Sequence, residues 1–229
     1  MLSKSQAKTF FLLGTALCSA AFILLTVDTF QRIPKQTNQD KMTEAVVRGK
    51  HLWDRNNCMG CHTLLGEGAY YAPELTKVFE RRGETFIKAM LKDPQAMYPN
   101  DRKMVNYKFN DQEINDLTEF LKWIGEMDLN GFPAKPDLMQ TTGAALKSAV
   151  AQPEKFAQTC VACHSVGGAG GTVGPALDAV GDKFNSEYLT NWLKNPQAVK
   201  ADAKMPKLPL SDAEISELVS YLSQLKGGK

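Results

Sequence analysis

Four of the five cysteines lie in two short motifs that place a pair of thiols beside an imidazole. The first motif is Cys58, Cys61 and His62, and the second is Cys160, Cys163 and His164. Thiols at this spacing can form thioether bonds to the two vinyl groups of one porphyrin, and the adjacent imidazole then lies over the iron as the proximal ligand. The sequence therefore predicts two covalently bound c-type hemes.

Zinc binding and disulfide formation are the alternatives for such motifs. A closed zinc site needs a fourth ligand, and CxxC elements that share one zinc usually lie much closer together than these two. A disulfide within each motif would not explain why a histidine follows directly both times. Only His51 lies outside the motifs, and we interpret it as a partly buried helix residue.

A heme iron that only carries electrons needs a sixth ligand that stays bound. A methionine thioether meets this need and also stabilises ferrous iron. After His164 the only methionine is Met205. Between the two motifs the candidates are Met90, Met97, Met104, Met127 and Met139.

An internal repeat chooses among these candidates. Residues 91–96 return as residues 193–198, with Pro-Gln-Ala at the end of both segments. In this alignment Met104 lies opposite Met205, with one extra residue in the first loop. Met90 lies opposite Trp192, which favours a packing role for Met90. We therefore expect Met104 and Met205 to be the distal ligands of the first and second iron.

The repeat also predicts a partner for each proximal imidazole. Pro73 follows His62 by eleven residues, and Pro175 follows His164 at the same distance. A rigid turn there could present a backbone carbonyl to the second ring nitrogen, which would fix the tautomer and strengthen the imidazole as a ligand. A simple turn proline is the alternative.

Helices must position these residues. Asn110 and Ser211 can each cap a helix, because a glutamate three residues later completes a capping box before an amphipathic apolar series. Preceding helices are predicted from about Gly83 to Lys92 and from about Ser186 to Lys194, where a proline comes soon after. Strand-like alternation is scarce. The predicted class is all-α, with apolar helix faces around each porphyrin.

The N-terminal segment predicts a membrane anchor. The stretch from Phe10 to Val27 carries no charge and follows Lys4 and Lys8, which favours a single transmembrane helix with its N-terminus in the cytoplasm. A cleaved signal peptide is the alternative, although cleavage near Cys18 would leave an apolar stretch at the mature N-terminus. We interpret Cys18 as a small apolar residue of the span.

The predicted organisation is one N-terminal transmembrane helix followed by two tandem class I-type cytochrome c domains. Thioether attachment of heme takes place outside the cytoplasmic membrane, which would place both domains in the periplasm. Net charge is +2, and no basic stripe suggests nucleic-acid binding. The boundaries are an anchor at 1–30, a linker at 31–39, a first domain at 40–126, a second linker at 127–141 and a second domain at 142–229.

The segment around the first motif carries a more specific signal. Residues 53–75 resemble the cytochrome subunit of bacterial cytochrome-c-dependent nitric oxide reductase, and residues 66–73 (Gly-Glu-Gly-Ala-Tyr-Tyr-Ala-Pro) are not required for heme attachment. The resemblance continues through Arg81–Gly83, the Met104 loop and Phe120–Trp123. It covers about residues 1 to 133.

This resemblance implies a small subunit bound to a polytopic catalytic subunit, where a low-spin heme b and a heme b with non-heme iron reduce two NO to N2O. The chain would deliver the electrons and would not be an enzyme by itself. A calcium site at the subunit interface is also implied, for which the matching positions are Gly68 and Tyr70. Packing against the heme edge or the partner is the alternative for Tyr70 and Tyr71.

The chain departs from that family after the first domain, where the small subunit normally ends. Its residues 167–175 resemble a loop of small soluble cytochromes c. We therefore expect electrons to pass from a soluble donor, such as a small cytochrome c or a copper protein, through the second heme and then the first heme. The alternatives are a subunit of a related heme-copper oxygen reductase and a free-standing membrane-anchored carrier. A di-heme peroxidase would need an open iron, which Met104 and Met205 argue against.

Overall fold

A computed structural model of the chain describes residues 3–98, 104–134 and 152–227. Within these residues the fold is mostly helical, as predicted. A long N-terminal helix leads into a first unit, residues 37–134, and a second unit follows, residues 152–227. Met139 and most of the predicted second linker lie outside the described residues.

The two units contain corresponding elements in the same order. Each pair of strands is an antiparallel hairpin of two residues per strand, directly after a heme-attachment motif. In the first unit the elements are α2 (Glu44–Arg55), β1 (Thr63–Leu64), β2 (Glu67–Gly68), α3 (Val78–Lys92), α4 (Pro94–Met97) and α5 (Asp111–Gly125). In the second unit they are α6 (Glu154–Thr159), β3 (Ser165–Val166), β4 (Ala169–Gly170), α7 (Val180–Lys183), α8 (Ser186–Lys194), α9 (Pro196–Val199) and α10 (Asp212–Leu222).

Helix α3 begins earlier than the sequence predicted. Gly83 lies inside it with φ 68° and ψ 168°, so two helical segments meet there across a kink. The segment before Gly83 corresponds to α7 in the second unit, where the two helices are separate. The predicted start at Gly83 therefore marks the kink, whereas the predicted bounds of α8 are confirmed.

Both predicted capping boxes are present. The Asn110 side chain accepts a hydrogen bond from the Glu113 amide, and the Glu113 carboxylate accepts one from the Asn110 amide, both at 3.0 Å. Ser211 and Glu214 form the same reciprocal pair at the start of α10. Each such cap stabilises its helix by about 1 kcal/mol.

The core of the first unit depends on a close contact between α2 and α5. A Cβ atom on Gly49 would fall 2.1 Å from the Asp116 carbonyl oxygen, so only glycine lets the two helices approach this closely. The rings of Trp53 and Phe120 lie beside this contact with centroids 6.0 Å apart. Because α2 leads directly into the first motif, this contact positions Cys58.

In the second unit α6 and α10 form the equivalent contact. The rings of Phe156 and Tyr221 meet edge to face with centroids 4.9 Å apart, and Leu218 is fully buried. Helix α6 runs directly into the second motif. The motif of each unit thus begins where an N-terminal helix leaves the buried core.

Helix α1 (Lys4–Gln36) is the one helix among the described residues that is long and apolar enough to cross a membrane. It extends beyond the predicted anchor into residues 31–36, which the sequence predicted as linker. Pro34 lies in the last turn, where its missing amide interrupts little of the helix that follows. Most of the predicted linker is therefore helical.

The end of α1 is fastened to the first unit. The Gln36 carbonyl accepts a hydrogen bond from the Asp128 amide at 2.9 Å. Asn38 donates through its side chain to the Glu126 carbonyl at 2.8 Å and accepts at its own carbonyl from the Trp123 indole at 3.2 Å. The anchor and the first unit therefore join through a hydrogen-bonded corner that follows α5.

Candidate heme centres

Both motif histidines are held by a proline carbonyl. His62 Nδ1 lies 2.8 Å from the Pro73 carbonyl oxygen, and His164 Nδ1 lies 2.8 Å from the Pro175 carbonyl oxygen. This confirms the partner predicted from the repeat. Because a carbonyl can only accept, Nδ1 carries the proton and Nε2 keeps its lone pair for a metal.

The environment of His62 favours the neutral imidazole. Burial lowers the pKa of His62, and its hydrogen bond to the Pro73 carbonyl opposes this effect only in part. A neutral ring is the form that can donate a lone pair to iron. The protonation state of His62 therefore suits an axial ligand.

The proline turn is pinned to the hairpin in the same way in each unit. In the first unit the Thr76 hydroxyl accepts a hydrogen bond from the Leu65 amide at 2.7 Å. In the second unit the Asp178 carboxylate accepts one from the Gly167 amide at 2.6 Å. Sequence reasoning missed Thr76 and Asp178, although both are short side-chain acceptors at the same position of the repeat.

Glycines close both hairpins over the histidines. A Cβ atom on Gly68 (φ 118°) would fall 2.2 Å from the His62 carbonyl oxygen, and one on Gly170 (φ 123°) would fall 2.3 Å from the His164 carbonyl oxygen. The hairpin therefore requires glycine at both positions. This local reason accounts for the identity of Gly68 in the segment that resembles the reductase subunit.

The motif cysteines differ in their surroundings. Burial raises the pKa of Cys58 to about 11, with a further contribution from Cys61, and burial raises the pKa of Cys160 to about 12. Without heme these two thiols therefore stay protonated at neutral pH. Cys61 is exposed, whereas Cys163 lies between the two units.

The two predicted methionine ligands lie in loops held by equivalent glutamines. Gln95 Nε2 donates to the Met104 carbonyl at 3.1 Å, and Gln197 Nε2 donates to the Met205 carbonyl at 2.7 Å. Each glutamine belongs to the short helix, α4 or α9, that ends the preceding segment. Sequence reasoning missed this role, although the recurrence of Pro-Gln in both halves was a signal for it.

Met205 has a donor that Met104 lacks at the equivalent position. Trp192 Nε1 donates to Met205 Sδ at 3.1 Å. The repeat places Met90 opposite Trp192, and a thioether cannot donate a hydrogen bond. The two centres therefore differ in the polarity around the predicted axial sulfur.

The methionines that the repeat set aside have packing roles. Met127 is buried in the core of the first unit, Met97 is buried between the units, and Met90 packs against the same cluster as Met97. His51 lies on α2, as predicted, but it is exposed rather than partly buried. Tyr70 is 87% exposed.

Buried polar atoms beside the motifs fit a bound heme. Among the described residues, Trp53 Nε1, Thr63 Oγ1 and Thr159 Oγ1 are buried without a hydrogen-bond partner. The Trp53 ring lies 6.4 Å from the His62 ring, Thr63 follows His62, and Thr159 precedes Cys160. The carboxylate side chains of a porphyrin are acceptors of the kind that such donors need.

A cytochrome c family model matches residues 46–125 and 153–226, which correspond to the two units. The cytochrome c subunit of nitric oxide reductase from Stutzerimonas stutzeri is 43% identical over 136 residues, covering 57% of this chain and 93% of that protein. This chain belongs to the family of nitric oxide reductase cytochrome c subunits. The corresponding protein of Halomonas halodenitrificans is 35% identical over 144 residues, covering 59% of this chain and 96% of that protein.

Membership of this family makes the chain an electron-transfer subunit of an oxidoreductase complex, not an enzyme by itself. A cytochrome c fold implies covalently bound heme c. These reductase relatives leave a large part of this chain unmatched, which is consistent with an additional C-terminal cytochrome domain. The cytochrome c oxidase subunit 2 of Alkalihalophilus pseudofirmus is 35% identical over 77 residues, covering 30% of this chain and 22% of that protein.

Proposed function

We propose that the chain is the membrane-anchored di-heme electron-transfer subunit of a nitric oxide reductase. Electrons would pass from a soluble donor to the second unit, then to the first unit, and then to a polytopic catalytic subunit with heme b and non-heme iron. The observation that carries this proposal is the repeated contact between a motif histidine and a proline carbonyl, present in both units of one anchored chain. It supplies two equivalent sites for an axially ligated iron.

Eight residues would hold the two hemes. Each bound heme would supply an iron that cycles between ferric and ferrous states and so carries one electron at a time. The thioether bonds fix each heme to the chain, and the proline carbonyl orients the proximal imidazole. The first set is Cys58, Cys61, His62 and Met104, and the second set is Cys160, Cys163, His164 and Met205.

The loop of residues 65–73 is the surface that we assign to the catalytic subunit. Leu65 is 39% exposed, Tyr70 is 87% exposed, and the half-exposed ring of Phe132 lies next to Gly66. Exposed apolar side chains that cluster on one surface mark a contact with a partner protein or a membrane. This cluster lies on the first unit, which is the part that resembles the reductase subunit.

We also assign a calcium ion to this surface, with oxygen atoms of Gly68 and Tyr70 among its ligands. Calcium prefers carbonyl and carboxylate oxygens, and the strongly turned backbone at Gly68 exposes such groups. The remaining ligands would come from the catalytic subunit. Removal of calcium from the purified complex by a chelator would then release this chain, and added calcium would restore binding.

The N-terminus is assigned to the cytoplasm and both units to the periplasm. Two lysines precede the apolar part of α1, which agrees with the rule that positive residues stay inside. Heme attachment to CxxCH motifs then takes place on the outer side of the cytoplasmic membrane. The soluble donor would meet the second unit there.

A related heme-copper oxygen reductase is the second candidate for the complex. The observation that favours it is the partial match to a cytochrome c oxidase subunit 2. That match covers a much smaller share of this chain than the nitric oxide reductase relatives cover. Nitric oxide reduction is therefore the better supported function.

Gas consumption by the complex that copurifies with this chain would test the function. Reduced cytochrome c is the donor, and NO and oxygen consumption are measured in parallel with N2O production. N2O formation well above the rate of oxygen reduction supports the nitric oxide reductase. Oxygen reduction without N2O would assign the chain to an oxidase, and the absence of any copurifying subunit would leave a free carrier.

A further inference from the structure

The second unit is seated directly on the first. Phe86 and Ala89 of α3 and Met97 of α4 form one buried apolar cluster with Ala162 and Leu208 of the second unit. Burial of apolar side chains from both sides stabilises the contact, roughly in proportion to the area removed from water. The two units therefore share a hydrophobic interface in addition to their chain connection.

Polar contacts surround this cluster. Lys155 Nζ donates to Thr85 Oγ1 of the first unit at 2.9 Å and forms an ion pair with Glu214 of the second unit at 2.7 Å. Gln158 lies against Gly83, where a Cβ atom would fall 2.4 Å from its Oε1 atom. Directional bonds and this close fit define how α6 lies on α3.

The face of the second unit that is covered carries its heme-binding residues. Cys163 and Met205 are partly buried against the shared cluster. Cys163 Sγ lies 3.8 Å from the Met97 carbonyl oxygen of the first unit. An attachment point and the predicted distal ligand of the second heme thus both lie at the interface.

Helix α4 continues from this contact to the ligand loop of the first unit. Met97 is its last residue, and Gln95 in the same helix donates to the Met104 carbonyl at 3.1 Å. One four-residue helix and two non-covalent contacts therefore connect Cys163 with the Met104 loop. Electron tunnelling falls steeply with distance and is faster through bonded atoms than across gaps, so this arrangement is suited to transfer.

We propose, on the basis of the two-heme function proposed above, that this interface is the electron-transfer junction between the two centres, with α4 as the bridge from Cys163 to the Met104 loop. In the step one electron leaves the ferrous iron of the second centre and reduces the ferric iron of the first. No proton moves, and no covalent bond forms or breaks. The docked position of the second unit then determines the rate of internal transfer.

The test opens the interface with charge. The double variant Ala89→Glu with Lys155→Glu places two carboxylates in the interface beside Glu214 and removes the Lys155 contacts. The matched control is Asn191→Glu with Lys183→Glu, which makes the same change in charge. Asn191 occupies the position of Ala89 in the repeat, and both control positions are exposed in the second unit.

Two measurements are made on the full chain in detergent with both hemes attached. Hydrogen exchange at α3 and α6 reports whether the interface has opened. Proton NMR of the heme methyl groups in partly reduced samples distinguishes the two hemes and gives the rate of electron exchange between them. Independence of this rate from protein concentration shows that the exchange occurs within one chain.

We expect native and control chains to exchange electrons rapidly. An opened unit stays tethered at an effective concentration of about millimolar, so internal exchange in the double variant should slow by at least about an order of magnitude. Unchanged exchange despite faster hydrogen exchange at α3 and α6 would overturn the junction. A double variant that stays closed would overturn the interface, and equal slowing in the control would show that charge alone is responsible.

Neither measurement uses NO, oxygen or a catalytic subunit. A failure of the junction would therefore leave the nitric oxide reductase function standing. A complex that does not reduce NO would in turn leave the internal exchange rates, and with them the junction, unaffected.

Discussion

Gly174 lies against the imidazole of His164, where a Cβ atom would fall 2.5 Å from the ring atom Cε1. The ring cannot move aside freely because its Nδ1 atom is bonded to the Pro175 carbonyl. We therefore expect Gly174→Ala to displace His164 and weaken its bond to iron. The measurement is the absorption spectrum of the second heme, with a rise in high-spin signal, together with a lower thermal midpoint of that unit.

The first unit provides the control for this substitution. Ala72 occupies the position of Gly174 in the repeat, so the first unit already accepts a Cβ atom there. Ala72→Gly should leave the spectrum of the first heme unchanged. A Gly174→Ala chain with a native low-spin spectrum would show that the loop before Pro175 adapts without cost.

Local signals in the sequence predicted much of each unit. The capping boxes of α5 and α10 and the carbonyl of the proline after each motif could be predicted because each depends on residues close together in the chain. The repeat then assigned Met104 and Met205, and the structure places the main chain of both under equivalent glutamines. The iron bonds of both methionines remain predictions.

Contacts between distant residues could not be predicted in this way. Phe86 and Ala89 belong to an apolar helix face that is equally typical of a domain core, and only the folded chain shows that the second unit covers them. The bond from Trp192 to Met205 joins two segments through a loop whose path the sequence does not specify. The kink at Gly83 likewise reflects the close approach of Gln158.

Substitution of each methionine ligand should open one iron. A thioether ligand blocks the sixth position and stabilises the ferrous state, so Met104→Ala and Met205→Ala should each lower the potential of one heme and let it bind carbon monoxide when reduced. Spectra of the reduced chain with and without carbon monoxide measure this change.

Met90→Leu is the control because Met90 packs between the units without a predicted role at iron. It should leave both hemes closed to carbon monoxide. If Met104→Ala also stays closed, a different side chain ligates the first iron, and the alignment of the repeat is wrong at that loop.

Removal of the indole donor should change the potential of the second heme only. The hydrogen bond from Trp192 draws electron density from Met205 Sδ and so favours ferrous over ferric iron. Trp192→Phe should lower the potential of the second heme by tens of millivolts, since a neutral hydrogen bond contributes about 0.5–1.5 kcal/mol. A spectroscopic redox titration of both hemes measures this, with the first heme as internal reference. An unchanged second potential would contradict a direct bond to the ligating sulfur.

The pair of Arg48 and Asp116 should make the first unit sensitive to acid. The hydrogen bond from Arg48 lowers the pKa of Asp116 despite the opposing effect of burial. Because the folded-state pKa lies below the unfolded value of about 3.9, this pair stabilises the unit above that pH and ceases to do so as pH falls through the folded-state pKa. Asp116→Asn should cost about 1–3 kcal/mol at neutral pH and progressively less in acid.

Thermal unfolding of the first unit between pH 3 and pH 7 checks this expectation. Asp111→Asn on the same helix is the control, because its pair with Lys92 is exposed and should contribute at most about 1 kcal/mol. A cost for Asp116→Asn that does not change with pH would mean that the carboxylate acts through packing alone.

The hydrogen-bonded corner between α1 and the first unit has a consequence at the scale of the membrane. With Asn38, Trp123 and Glu126 joining the two, the first unit stands on its anchor as on a mast, and its height and tilt follow from those of α1. Lateral encounter in the plane of the bilayer then presents one fixed side of the unit to a neighbouring protein. Productive contact would thus depend on rotation about a single axis, whereas a flexible tether would require a search in three dimensions.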